Sequence, residues 1–158
     1  MSRMRSPLSF LVLLFAVVVA PLAHAQREFF TPDQLDYIQQ KWPEAKRTNT
    51  GLRYIIQQPG DGISPRSGDS VSVLYVGALL DGTVFDKQLN PAHPLAFRVD
   101  RGAVIDGWNQ VLKLMKLHEK RLVIIPAALA YGSRGRPPAI PRDAVLVFEM
   151  ELVDVSRE

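Results

Sequence analysis

An antiparallel α+β domain, with one short helix plugging the concave face of a sheet, follows from two patterns in this chain. The first is a succession of short segments with alternating apolar residues, each bounded by Gly, Pro or Asp, which read as strands. The second is one central stretch, Val104, Trp108, Val111, Leu112 and Met115, whose spacing is helical. Size and composition agree: 158 residues, 47% hydrophobic and 22% charged, make one globular domain with room for a short appendage.

At the N-terminus Arg3 and Arg5 precede an uncharged apolar run, Leu8 to Ala20, followed by Pro21 and the small-residue site Ala23-His24-Ala25. This is the three-part pattern of a secretory signal, expected to span residues 1–25 and to be cut after Ala25. The run of 13 residues falls short of the roughly 20 that a membrane-spanning helix needs. An uncleaved anchor is the alternative, because Ser6 to Ala25 carries no Asp, Glu, Lys or Arg. The expectation is an exported protein of the bacterial periplasm, or otherwise of a secretory lumen or the extracellular space.

Residues 26–47 form an extension rich in Gln and charge. Thr31-Pro32-Asp33 supplies an N-cap, a proline at the first helical position and an early acid, so a helix should run from Pro32 to about Trp42, where Pro43 ends it. Leu35, Ile38 and Trp42 make one apolar stripe. That stripe either packs on its own domain or pairs two copies through residues 32–42.

From Gly51 the period becomes two: Leu52, Tyr54 and Ile56 alternate with Arg53, Ile55 and Gln57, until Pro59-Gly60-Asp61-Gly62 breaks the strand. A strand over Ser70 to Leu80 turns at Asp81-Gly82, and its return is Thr83 to Asp86. Leu95 to Val99 is the next strand, and Gly102 turns the chain into the central helix. Strands at Arg121 to Pro126 and Val145 to Val155 enclose a Gly- and Pro-rich loop, Tyr131 to Pro141.

Composition removes several function classes. Without Arg3 and Arg5, the 19 Lys+Arg fall to 17 against 16 Asp+Glu, a net of +1, which speaks against a nucleic-acid binder driven by bulk charge. Zero cysteines exclude disulfides, thiolate metal sites and a cysteine nucleophile. His93 and His118 are too few and too isolated for a metal site or a triad, and no phosphate-cradling glycine loop occurs. Neither a metal nor a cofactor is expected.

What remains is an ordered series: Val73-Leu74-Tyr75-Val76-Gly77, Asp81-Gly82-Thr83-Val84-Phe85-Asp86, Leu95-Ala96-Phe97, Val104-Ile105-Asp106-Gly107-Trp108, Ala130-Tyr131-Gly132, Ile140-Pro141 and Leu146 to Leu152. In order and spacing these motifs closely resemble the FK506-binding-protein family of peptidyl-prolyl isomerases, over about residues 48–158. The resemblance implies a curved antiparallel sheet wrapped around the short helix, with an apolar pocket between them that takes a proline side chain.

Carried over by motif, Trp108 would be the pocket floor, with Tyr75, Phe85, Phe97 and Phe148 as aromatic walls and Val104 and Ile105 on the rim. The Ile105 N–H would donate to a substrate carbonyl, Tyr131 would offer its hydroxyl, Asp86 would point its carboxylate at the bound amide, and Ile140 would close the outer side. Partners would be folding polypeptides with X-Pro bonds and an FK506-like macrolide. Leu95 and Ala139 stand where the family often carries bulkier groups, which widens the pocket; Arg136 replaces a frequent histidine and, with Arg134 and Arg142, makes the loop above basic. The rival reading is a non-catalytic chaperone or peptide-binding module using the same groove.

Overall fold

The computed structural model describes residues 29–157, so the expected signal at residues 1–25 and its cleavage point lie outside the described residues. Within them the chain opens with α1 (Pro32–Lys41) and continues through β1 (Lys46–Arg47), β2 (Arg53–Gln58), β3 (Ser70–Leu79), β4 (Val84–Gln88) and β5 (Leu95–Arg98). Then follow α2 (Asp106–Leu112), β6 (Lys120–Ile125), two single 3₁₀ turns and β7 (Leu146–Ser156).

All pairings are antiparallel and the order is β1-β2-β6-β7-β3-β4. One edge of β3 is shared: its first half, Ser70 to Val73, pairs with β5, and its second half, Tyr75 to Ala78, pairs with β4. The register slips between Ser72 and Val73 against β7, and between Gly77 and Ala78 against β4. An extra residue on one strand adds local bend and twist, which helps the sheet wrap around α2.

Alternation along β7 has a physical reason on both faces. Leu146, Phe148, Met150 and Leu152 join Val71, Val73, Tyr75 and Val123 in a core closed by Trp108, Val111 and Leu112 of α2. Val145 and Val147 point the other way, into a smaller cluster with Phe30, Ile38, Leu122 and Ile124. That second cluster is the seat of α1. Ile38 is 1% exposed, and Leu35 and Trp42 pack at its margin, so the apolar stripe rests on the chain's own sheet.

Helix α1 starts as its sequence dictates. The Gln34 N–H donates to Thr31 Oγ1 at 3.3 Å and the Thr31 N–H to Gln34 Oε1 at 3.0 Å, a reciprocal capping box, with Pro32 at the first position. At its other end the Trp42 N–H reaches the Ile38 carbonyl at 2.8 Å before Pro43.

Most strand ends shift by about one residue, and three departures from expectation have a structural cause. The central helix covers only Asp106–Leu112: Ile105 is its extended N-cap, and the Met115 N–H is shared between the Val111 and Leu112 carbonyls at 3.1 Å as the last turn tightens. Val104 and Met115 therefore flank the helix although their spacing is helical. β4 runs to Gln88 because Lys87 and Gln88 still have partners, Val76 and Tyr75, on β3. Ile56, expected on one face with Leu52 and Tyr54, is 42% exposed, while Ile55 packs toward the α1 cluster.

Candidate functional site

Between α2 and the sheet lies a cavity of about 140 Å³. β3 contributes Tyr75, β4 Phe85 and Asp86, β5 Leu95, and β7 Phe148. The turn into α2 contributes Val104 and Ile105, α2 itself Trp108, and the loop above Tyr131 and Arg136. A larger groove of about 370 Å³ lies on the opposite face, along the seam between Lys41 and Trp42 at the end of α1 and β3, β6 and β7. The smaller cavity is the candidate site, because several aromatic faces and polar groups from separate elements converge there.

The aromatic rings form an edge-to-face cage. Trp108 stands 4.9 Å from Tyr75 at 81° and 5.2 Å from Phe148 at 86°, and Phe85 meets Phe148 at 5.7 Å and 87°. This arrangement sets the positive edge of one ring against the negative face of the next. It depends on Gly77, whose neighbours leave no room for a side chain: a Cβ there would lie 2.7 Å from Phe148 Cε1 and 2.9 Å from Phe85 Cζ.

The polar side of the cavity is organised around Asp86. The Tyr75 hydroxyl donates to Asp86 Oδ2 at 2.8 Å, and the Lys87 N–H donates to Oδ1 at 2.9 Å. Burial first, then the hydrogen bond to Asp86 and its negative charge, push the Tyr75 hydroxyl up to about 12; the positive charge of Arg136 opposes this. At neutral pH Tyr75 is thus a donor. The Ile105 N–H has no backbone acceptor among the described residues, while the Ile105 carbonyl accepts from the Trp108 N–H at 3.0 Å. Among the described residues no three His, Cys, Asp or Glu side chains group to hold a metal.

Of the eleven residues expected at the pocket, the cavity wall carries nine: Tyr75, Phe85, Asp86, Leu95, Val104, Ile105, Trp108, Tyr131 and Phe148. Phe97 and Ile140 are displaced from it. Leu95 pairs with Val73, next to Tyr75 on the same strand face, whereas Phe97 pairs with Val71, two residues farther away. Phe97 consequently backs the floor, with its ring 6.0 Å from Trp108. Ile140 is 1% exposed and lines a neighbouring cavity of about 270 Å³ with Pro137, Pro138 and Ala139. Phe85, Asp86 and Arg136 form a wall common to both cavities.

Two wall residues were not expected there, Ala103 and Arg136. Ala103 carries no signal in a sequence. Arg136 is legible only as part of a basic loop, because its direction depends on how that loop folds back over the sheet. His93 and His118 are exposed, and His118 Nδ1 lies 2.9 Å from Asp61 Oδ1, away from this wall.

Comparison with known proteins covers the part of the chain that builds this cavity. The family model for FKBP-type peptidyl-prolyl cis-trans isomerases matches residues 62–153, which include every residue of the cavity wall. FkpA of Escherichia coli strain K12, an FKBP-type peptidyl-prolyl cis-trans isomerase, is 44% identical over 111 residues, covering 70% of this chain and 40% of FkpA. Human peptidyl-prolyl cis-trans isomerase FKBP2 is 47% identical over 95 residues, covering 60% of this chain and 67% of FKBP2. The crystal structure of E. coli FkpA superposes with a TM-score of 0.70 at 39% identity, over 78% of this chain and 58% of that one. A peptidyl-prolyl cis-trans isomerase from Pseudomonas syringae gives 0.70 at 34% identity, over 79% and 92%. The sequence match thus covers less than half the length of FkpA. Since the family match covers most of the chain and carries the whole aromatic cage with it, the protein belongs to the FKBP-type peptidyl-prolyl cis-trans isomerases.

Proposed function

We propose that this chain catalyses cis-trans isomerisation of X-Pro bonds in exported polypeptides while they fold. The observation that carries the reading is the aromatic cavity with the Tyr75–Asp86 hydrogen bond on its wall. The barrier to rotation, about 18–20 kcal/mol, comes from amide resonance, so the reaction needs neither nucleophile nor cofactor. A twisted amide is less dipolar than a planar one. An apolar enclosure disfavours the planar ground state relative to the transition state, and directed donors then hold the rotating group.

In this reading the proline ring rests on Trp108 between Tyr75, Phe85 and Phe148, with Leu95 and Val104 at the rim. The Ile105 N–H and the Tyr131 hydroxyl donate to substrate carbonyls. Asp86, already held by Tyr75, faces the amide. Phe97 supports the floor from behind and Ile140 shapes the adjoining cavity. Uncatalysed isomerisation takes on the order of 10–100 s, slow enough to limit folding after export.

The same proposal takes residues 1–25 as the export signal to the periplasm, 26–47 as an extension whose helix braces the sheet, and 48–158 as the isomerase domain. An FK506-like macrolide would occupy the same cavity. Pairing of two copies through residues 32–42 is the alternative role for α1, and sedimentation would reveal it.

The test is a protease-free cis-to-trans relaxation assay on a short peptide with Leu or Phe before proline. The chain should accelerate relaxation, and Asp86→Ala or Trp108→Leu should reduce kcat/KM by about tenfold or more, equivalent to about 1.4 kcal/mol of transition-state stabilisation. Absence of acceleration by folded wild type refutes the isomerase and leaves the peptide-binding module. FK506 should inhibit.

A further inference from the structure

Arg136 is the one basic side chain on the cavity wall, and its guanidinium has no ion pair or hydrogen bond among the described residues. Asp86 shares that wall and keeps its negative charge, accepting from the Tyr75 hydroxyl on one oxygen and from the Lys87 N–H on the other, with no ion pair to Arg136. Arg136 thus lines both cavities with a side chain whose fork of five N–H donors suits a carboxylate, and its charge is felt at the Tyr75 hydroxyl.

The loop holds this residue in place. The Arg136 N–H donates to the Ile140 carbonyl at 2.8 Å and the Ile140 N–H returns to the Arg136 carbonyl at 3.0 Å, while the Gly135 N–H reaches the Tyr131 carbonyl at 3.2 Å. Gly135 has φ +61, and a Cβ on it would lie 2.6 Å from the Ile140 carbonyl oxygen, so glycine is required just before the arginine. The loop from Tyr131 to Asp143 carries Arg134, Arg136 and Arg142 against Asp143 alone, an excess of positive charge on the segment that bears Arg136.

We propose that Arg136 is a specificity-determining residue that selects substrates with an acidic residue immediately before the proline; this rests on the isomerase reading above. With the proline ring in the aromatic cavity, the rotating amide lies at its mouth. The residue on the far side of that amide then stands at the common wall, beside the adjoining cavity lined by Pro137, Pro138, Ala139 and Ile140. A carboxylate there meets the guanidinium, whereas a lysine meets the same charge as repulsion.

The experiment measures kcat/KM of the full chain at pH 7 and low salt on peptides that differ only in Glu, Leu or Lys before proline, and on a matched set with the same three residues after it. Wild type should prefer Glu over Lys, and Arg136→Gln should lower the Glu-to-Lys ratio by about threefold to fivefold, the scale of a solvent-accessible ion pair. Arg136→Glu should invert the preference. Arg142→Gln, on the same loop but off the cavity wall, should keep the wild-type ratio. An unchanged ratio in Arg136→Gln overturns the proposal, as do equal losses in the Arg136 and Arg142 variants. A preference confined to Glu placed after proline overturns the assigned position. If wild type accelerates none of the peptides, the isomerase reading falls and this proposal with it; acceleration without charge preference removes this proposal alone.

Discussion

Gly77→Ala adds one methyl group between the two phenylalanines of the cage, and the outcome depends on which of two opposed effects is larger. In its favour, Gly77 does not have positive φ, so alanine fits the strand backbone and restricts the unfolded chain, a gain of about 0.4–1 kcal/mol. Against it, the new Cβ would start 2.7 Å from Phe148 Cε1 and 2.9 Å and 3.0 Å from Phe85 Cζ and Cε2. Ordinary contact begins near 3.4 Å, so both rings must retreat by several tenths of an ångström. Phe148 cannot do so freely, being buried with Trp108 at 5.2 Å and Tyr75 at 6.3 Å. Overpacking of this kind costs about 1–3 kcal/mol. The crowding wins, leaving a net loss of about 1–2 kcal/mol. In urea this should appear as a midpoint lowered by roughly 0.5–1 M at unchanged slope. The relaxation assay should show reduced kcat/KM as well, because the rings that move are walls of the cavity. A variant with a raised midpoint and unaltered turnover would refute the argument that Gly77 exists to seat these rings.

Two other perturbations test the scaffold and the electrostatics. Glu119 and Arg121 form an ion pair only 4% and 3% exposed, with the Lys116 N–H donating to Glu119 Oε2 at 3.1 Å and Arg121 Nη2 donating to the Leu114 carbonyl at 3.0 Å. Glu119→Gln leaves the guanidinium buried without its counter-charge and should cost about 3 kcal/mol by urea unfolding, while the paired change Glu119→Leu with Arg121→Met should cost less than the single variant. For Tyr75→Phe the readout is pH. The folded hydroxyl is raised from 10.0 to about 12, so its contribution is complete below pH 10 and is lost as pH rises through 12. Full burial would set a ceiling of about 2.7 kcal/mol, which water at the cavity mouth screens to roughly 1 kcal/mol. The stability difference between wild type and Tyr75→Phe should shrink by that amount across this window, and a difference independent of pH would contradict the assignment.

Local patterns carry a large part of this protein. The box Thr31-x-x-Gln34 with Pro32 marks the start of α1 because its hydrogen bonds close within four residues. Asp81-Gly82 marks the hairpin because Gly82, at φ +94, supplies a turn conformation that few side chains accept. The alternation of Leu146, Phe148, Met150 and Leu152 identifies a buried strand face, since side chains point to one side at every second residue. The motif series from Tyr75 to Phe148 was enough to identify the family and most of the cavity wall.

What depended on tertiary structure was whatever requires two distant segments to be placed against each other. The ends of α2 were not readable, because Val104 and Met115 keep helical spacing while their backbone leaves the helix to meet the core. Phe97 and Leu95 are equivalent by alternation; pairing with Val71 or with Val73 decides that one backs the floor and the other lines the wall. The helix stripe of Leu35, Ile38 and Trp42 suits an intramolecular or an intermolecular surface equally by sequence; in the fold it packs on the outer face of β6 and β7 of its own chain. Arg136 was visible as a charge, but its position on the cavity wall comes from a loop closed by its own bonds to Ile140. Sequence alone determined the local elements and the chemical inventory of this protein, because propensity, capping and periodicity act within a few residues. Tertiary structure decided which members of that inventory share a cavity, because strand register, close packing at Gly77 and loop closure join residues far apart in the chain.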